Sequence, residues 1–455
     1  MEAAVRSGLR SFFRCGDGHE GAFLLVHLNI VIYAVSFWLC QPILPFLTKQ
    51  LGADEVAYGW LQSWFSLIQL IGGPWMGRLT DTQGPRYALV TTQLASALSY
   101  GLLAAAQSQT VLFLSKAPAV VQHCMQVAQA FVSAYTDRDG RTEAIGRLSL
   151  SYGIGMIVGS SAGGFLSKVF GNQGVALLAS LLSVGVAMAD VVLLPNVHTE
   201  KEKESGEGEK KGGESGWSAF VGLILQEGVG VVLVFKILLG MAFRMYESTF
   251  SLALAQQFEL DAAAIGLVLT FGAALSVATN TFLVGTISRS LGEVPSVTLA
   301  TASASVCFFF YSFVSSVSGL FIVLLPKAVS STLVYTVTTS LLASLADPSQ
   351  RGLAIGVSHA TRSLCGLVAP PLGGWLMKTQ GVRGLALCCC GVAGVACLFL
   401  VVCRRLGLIE ASSVKKEEGE GGGDGEVETE KSEGKKGKAK KGPDSKKKAG
   451  KVHSS

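Results

Sequence analysis

Residues 73–89 read GPWMGRLTDTQGPRYAL, one acid and two arginines set between apolar stretches and punctuated by glycines at 73, 77 and 84. The runs on either side, Tyr58–Met76 and Tyr87–Gln107, are each about the 20 residues that a helix needs to cross a bilayer. A short charged turn between two such runs marks a chain that leaves a membrane and re-enters it. Gly84 permits a tight reversal that a side chain resists. Gly73 and Gly77 let the preceding helix pack closely on a neighbour.

The same pattern extends outward over the whole chain. Of 455 residues, 49% are hydrophobic and only 15% charged, with a mean hydropathy of +0.47. Soluble domains carry about 25% charged residues. Much of the charge is confined to Thr199–Gly213 and to the stretch after Arg404. The remainder divides into twelve apolar spans, numbered here in chain order: Ala22–Pro42, Tyr58–Met76, Tyr87–Gln107, Leu112–Tyr135, Ala144–Val169, Gly174–Leu194, Val229–Gln256, Ala264–Ile287, Val294–Val317, Leu320–Leu345, Leu353–Met377 and Leu385–Val402. A backbone in lipid must satisfy its own hydrogen bonds, so segments this long predict helices. The expected fold is an all-α polytopic membrane protein.

Lysine and arginine set the expected orientation. One set of loops holds Arg78, Arg86, Arg138, Arg141, a lysine-rich linker, Arg289, Arg351 and the tail, whereas the alternate set holds Lys49, Lys168, Lys378 and Arg383. The first set is expected to be cytoplasmic, with both termini. Residues 1–20 are polar and the first apolar run is span-length, so no cleavable leader is expected. The ten cysteines fall mostly in spans and lack zinc spacing, and no Asn-X-Ser/Thr acceptor occurs. No metal, cofactor or nucleic-acid partner is expected, and neither a phosphate loop nor a nucleophile constellation suggests an enzyme.

The chain repeats itself. At an offset of 210, Asp137 and Arg141 meet Asp347 and Arg351, and Gly163-Gly164 meets Gly373-Gly374; Lys168 meets Lys378 and Gly171 meets Gly381. At 208, Gly77 meets Gly285 and Gly84 meets Gly292. Two six-span bundles, 21–195 and 219–403, are therefore expected, joined by the linker 196–218 and followed by a charged tail, 404–455. Parallel repeats of this kind hold a solute at their interface near the midplane.

The core Gly77-x-Leu79-x-Asp81-x-x-Gly84-x-Arg86 resembles the loop motif between spans 2 and 3 of the major facilitator superfamily, with Thr82 and Pro85 standing where basic residues are usual. Within it, YGWLQSWFSLIQLIGGPWMGRLTDTQG (58–84) is similar to the organic cation transporter-like branch of solute carrier family 22. Span 1 is followed by a short loop, Thr48–Ala57, where typical family members carry a large glycosylated one. The resemblance implies an alternating-access transporter of organic cations, exchanged for protons, with the proton gradient as driving force. It also implies a plasma membrane location, apical in polarised epithelium; an endomembrane location, a uniporter and a non-transporting scaffold stay open.

It further implies a conformational gate. Asp81 would meet the N-terminus of span 11 near Gln350–Gly352, where free N–H groups favour a carboxylate by about 0.3–1 kcal/mol. Gly73, Gly77, Gly84, Arg86, Asp137, Arg141, Asp347 and Arg351 belong to the same gate. The second-half copy, GTISRSLGEV (285–294), has Arg289 where the acid belongs. Span 5 places Gly146, Gly155, Gly159 and Gly163-Gly164 at the spacing of a proton-antiporter signature, with Ser160 in place of its proline. Small residues so spaced allow backbone-to-backbone helix contact. Pro370 and Pro371 predict a kink in span 11.

Ionisable residues inside spans are costly and usually face a cavity or a partner. Span 4 carries Lys116, His123 and Gln126; a separation of seven puts Lys116 and His123 on one helical face. His123 is a candidate proton carrier, or a neutral hydrogen-bonded residue. Span 7 carries Lys236, Arg244 and Glu247, the last read as the one carboxylate well inside a span. Arg244 and Glu247, three apart, either pair structurally or offer Glu247 to a cation in competition with protons. His359 and Arg362 repeat that spacing on span 11. Trp38, Trp64 and Tyr335 offer cation–π faces. The tail, acidic and then lysine-rich, has a disordered composition and reads as a partner for anionic lipid or other proteins.

Overall fold

The computed structural model describes residues 20–136, 141–194, 222–224, 226, 228–346 and 351–409. The linker and nearly all of the two terminal segments lie outside them. The described chain is helical and carries no strand. Seven helices are long and apolar enough to cross a membrane. Two of these, Arg141–Leu193 and Arg351–Arg405, are each two helices joined at a non-helical glycine, Gly171 and Gly381. Spans 5–6 and 11–12 are these two pairs. Spans 2 and 3 are helical but fall outside the seven, their apolar character diluted by Gln62, Ser63, Ser66, Gln69, Thr92, Gln93 and Ser96, and span 4 falls outside because it is broken into short pieces.

The repeat is visible in backbone geometry. Gly84 and Gly292 adopt φ 84, ψ 163 and φ 84, ψ 162. Gly171 and Gly381 adopt φ 69, ψ 172 and φ 69, ψ −173. These angles lie in a region that is essentially glycine-only, which explains why the punctuating glycines recur in both halves. Asp54 and Asp261 cap the helices of spans 2 and 8, accepting from Ala57 N and Ala264 N, each at 2.8 Å.

Span 4 departs from expectation. It is not one helix but three pieces: Gln109–Leu114, a 3-10 turn Ala117–Val121, and Cys124–Tyr135. Lys116 and His123 therefore do not share a helical face. Pro118 has no N–H to continue the ladder, and the carbonyls left over are met by side chains of neighbouring spans. Gln69 donates to Ala119 O and Gln122 O, Thr92 to Val121 O and Tyr33 to Gln122 O, at 3.0–3.3 Å. Gly72 has room for the Val120 carbonyl that a Cβ would strike. Irregular backbone survives at membrane depth only when it is satisfied this way.

The two halves meet along a seam. Gly59 faces the Pro370 carbonyl and Gly374 the Glu55 carbonyl, joining spans 2 and 11; Gly266 faces the Ser160 carbonyl and Gly164 the Ala262 carbonyl, joining spans 8 and 5. These four contacts form two repeat-related pairs, and a Cβ at any of them would collide with the opposing backbone. Ser63 donates to Leu367 O at 2.5 Å, the carbonyl that Pro371 deprives of its helical donor. Ser161 and Thr270 lie 2.7 Å apart. Asp54–Lys378 at 2.7 Å and Asp261–Lys168 at 2.9 Å finish the seam as a third repeat-related pair. Among the described residues, the polar contacts between halves run from mid-span to this seam end. The buried apolar core follows the same geometry. One cluster fills the second half and continues through Leu39, Leu47, Tyr58 and Leu61 of the first. A separate cluster around Phe23, Met76, Leu89 and Phe131 fills the opposite end of the first half.

Candidate functional site

A cavity of about 780 Å³ lies between the halves. Spans 1, 2 and 5 supply a neutral wall that includes Phe37, Trp38, Gln41, Gln62, Phe65 and Tyr152, whereas spans 7, 10 and 11 supply Lys236, Arg244, Glu247, Lys327, Tyr335 and Arg362.

Each charged side chain is positioned by its own helix and one neighbour. Lys236 Nζ donates to Thr338 Oγ1 and Thr339 Oγ1, both at 3.1 Å, and lies 5.8 Å from the Tyr335 ring centroid. The Arg362 guanidinium sits over the same ring at 4.8 Å. Lys327 Nζ sits 4.5 Å above the Tyr246 ring and 5.8 Å from that of Phe243. Arg244 is 3.8 Å from Glu247, and its Nε is buried without a hydrogen-bond partner. Gly366 leaves space for that guanidinium, since a Cβ there would lie 2.7 Å from Arg244 Nη2 and 2.8 Å from Ser66 Oγ.

Arg244, Glu247 and Arg362 thus come together on the cavity wall; Lys116, His123 and Gln126 do not line it. Lys116 begins the 3-10 turn of span 4. His123 packs against Gly73, with its Nε2 buried and unpartnered, and Gln126 donates to Gly73 O at 3.3 Å. Trp38 reaches the cavity and donates to Tyr152 OH at 3.2 Å, whereas Trp64 donates to Phe113 O beside a smaller pocket. Tyr335 already holds two of the chain's own cations. Lys327 escaped sequence reasoning, although a lysine amid FIVLLPKAVSS (321–331) was the available signal.

Glu247 is not the one carboxylate inside a span. Asp190 of span 6 is fully buried, accepting from Asn29 Nδ2 at 2.6 Å, while Gln93 donates to Asn29 Oδ1 at 3.1 Å. Asp190 lies four residues from the end of the predicted span 6, Gly174–Leu194. The network ties spans 1, 3 and 6 together away from the cavity.

Of the gate residues, Asp81 is exposed and pairs with none of the described residues. Arg86 donates to the Val191 carbonyl, pinning the start of span 3 to the end of span 6 within one half. Gly155, Gly159 and Gly163 seat the carbonyls of Val31, Val35 and Leu39 in span 1 of the same half; Gly146 has nothing within 4 Å of a Cβ. Spans 11 and 12 are interrupted at Gly381, and the backbone stays helical through Pro370 and Pro371. Asp137, Asp347 and the side chains of Arg141, Arg351 and His359 lie outside the described residues.

A family profile described as Major Facilitator Superfamily matches residues 26–326 and 232–443. The chain belongs to the major facilitator superfamily. The two matches overlap and each spans repeat-related sequence, in keeping with the paired geometry above. Solute carrier family 22 member 18 of Mus musculus is 30% identical over 80% of this chain and 91% of that protein. Multidrug resistance protein 1 of Bacillus subtilis is 25% identical over 76% of this chain and 87% of that one. The fold is also that of a solved bacterial homolog of the human lysosomal transporter Spinster, with a TM-score of 0.69, 13% identity, and coverage of 86% and 98% of the two chains. The superfamily and its helical membrane fold make this chain a multi-pass membrane transporter of small solutes.

Proposed function

We propose that the chain works by alternating access, binding solute in the cavity between its halves and releasing it after the halves rock. The observation that carries this reading is the pairing of a cavity lined by both halves with a seam confined to one end of it. A seam built from four repeat-related glycine contacts, the Ser63 and Ser161 hydrogen bonds and two ion pairs can part without unfolding either half. By the loop-charge asymmetry the seam end faces outward, both termini lie in the cytoplasm, and the described conformation is closed to the outside. Asp81 then stands as the matching latch for the opposite state, idle while the seam is shut. A scaffold without transport needs no such repeated seam.

The expected exchange of an organic cation for a proton requires a carboxylate open to solute. Glu247 stands beside Arg244 and amid three further cations, so it supports that assignment poorly. A plasma membrane site, apical in epithelia, remains the reading drawn from family 22.

The test is uptake into proteoliposomes with and without an imposed pH gradient, across cationic and anionic solutes. Saturable flux that the gradient accelerates supports coupled transport. Flux that ignores the gradient points to a uniporter, and no flux of any solute points to the scaffold.

A further inference from the structure

The wall of the central cavity is electrically lopsided. Among the described residues it carries four cations, Lys236, Arg244, Lys327 and Arg362, against one carboxylate, Glu247. Among the described residues, Glu247 lies within ion-pair distance of Arg244 alone. Lys236, Lys327 and Arg362 have, among the described residues, no carboxylate within ion-pair distance, and Glu247 acts on Lys327 and Arg362 only from further off. Lys236 and Arg362 converge on one ring, Tyr335. Like charges gathered in one site disfavour each other, and ionisable groups inside membranes are normally paired. Two threonine hydroxyls and the rings of Tyr335, Tyr246 and Phe243 steady these cations without neutralising them. All four come from the second half, and the facing wall is aromatic and uncharged.

We propose that the solute is an amphipathic organic anion. Its carboxylate lies between the Lys236 ammonium, which has one N–H beyond those given to Thr338 and Thr339, and the Arg362 guanidinium, whose planar fork suits a carboxylate. Its apolar body lies against Phe37, Trp38 and Phe65. Lys327, above Tyr246, receives a second acidic group where the solute has one. Glu247 serves as the internal counter-ion of Arg244 and not as the solute's partner. The field focused by a one-signed cleft raises the local concentration of the opposite charge. This inference deepens the transport reading above and rests on the same cavity.

Equilibrium binding tests it separately from flux. Full-length protein in detergent is titrated with 2-naphthoate, succinate and tetraphenylphosphonium, following Trp fluorescence and thermal shift. The carboxylates are expected to bind saturably and the phosphonium to bind at least tenfold more weakly, a difference that needs no variant. Losing a charged hydrogen-bond partner through Arg362→Gln or Lys236→Gln is expected to weaken 2-naphthoate by about tenfold or more, and Glu247→Gln to leave it unchanged or tighter. Phosphonium binding that Arg362→Gln strengthens and Glu247→Gln abolishes overturns the proposal, as does the absence of carboxylate binding at millimolar concentration. Carboxylate binding without flux in proteoliposomes leaves the anion site standing and removes the transport reading instead.

Discussion

Gly164 and Gly374 are the places where one methyl group separates the two conformations. In the closed seam a Cβ at Gly164 strikes the Ala262 carbonyl and one at Gly374 strikes the Glu55 carbonyl. Forcing a methyl into packed backbone costs about 1–3 kcal/mol. The gain in helix propensity, about 1 kcal/mol from Gly to Ala, falls on both conformations and cancels. At a factor of ten per 1.4 kcal/mol, each substitution moves the balance roughly five- to 150-fold toward the seam-open state. The two sites touch different residues, so their effects should add. Spin labels at Ala53 and Thr379, in protein whose native cysteines are replaced, report the separation across spans 2 and 11. Gly164→Ala with Gly374→Ala should enlarge the long-distance population, whereas Gly146→Ala, with open space around its Cβ, should not. An unchanged distance distribution in the folded double variant would show that these contacts do not hold the seam.

Three further outcomes follow from the same geometry. Ser63→Ala leaves the Leu367 carbonyl without its donor and should weaken the closed seam by about 1–3 kcal/mol, read by the same labels. Gly171→Ala and Gly381→Ala have nothing within 4 Å to strike, so any loss is backbone strain of order 1–3 kcal/mol, seen as a lower melting temperature. The Lys378 hydrogen bond and the Ala57 N–H hold the Asp54 carboxyl below its ordinary 3.8. A carboxylate depressed in this way stabilises the structure above its unfolded value, and the contribution is lost as pH falls through the lowered folded value. Asp54→Asn keeps a helix cap but removes the charge. It should open the seam slightly at neutral pH, less than the glycine variants do, and reduce the seam's further loosening in acid to the part that Asp261 and Lys168 contribute.

Much of this architecture was legible from glycines and charges. Gly84, Gly171, Gly292 and Gly381 announced the repeat because their backbone angles exclude other residues, a constraint that shows directly in sequence. Arg244, Glu247 and Arg362 were found because a charge in an apolar span is conspicuous. The break in span 4 was not found. Pro118 signalled it, but the donors that serve its carbonyls, Gln69, Thr92 and Tyr33, come from three different spans, and only packing reveals them. Asp190 was missed for a similar reason, since its partner Asn29 is far away in sequence. The balance of charge in the cavity was hidden too, because which helix faces turn inward depends on how the bundles pack.

The most direct test joins the halves at the seam end. Asp54→Cys and Lys378→Cys, whose native side chains lie 2.7 Å apart, are linked in reconstituted protein by a short bis-methanethiosulfonate, which forms a reducible disulfide with each cysteine and releases methanesulfinate. Solute flux should stop while solute binding persists, and reduction should restore flux. Flux that continues undiminished through the linked protein would mean that the halves do not part there.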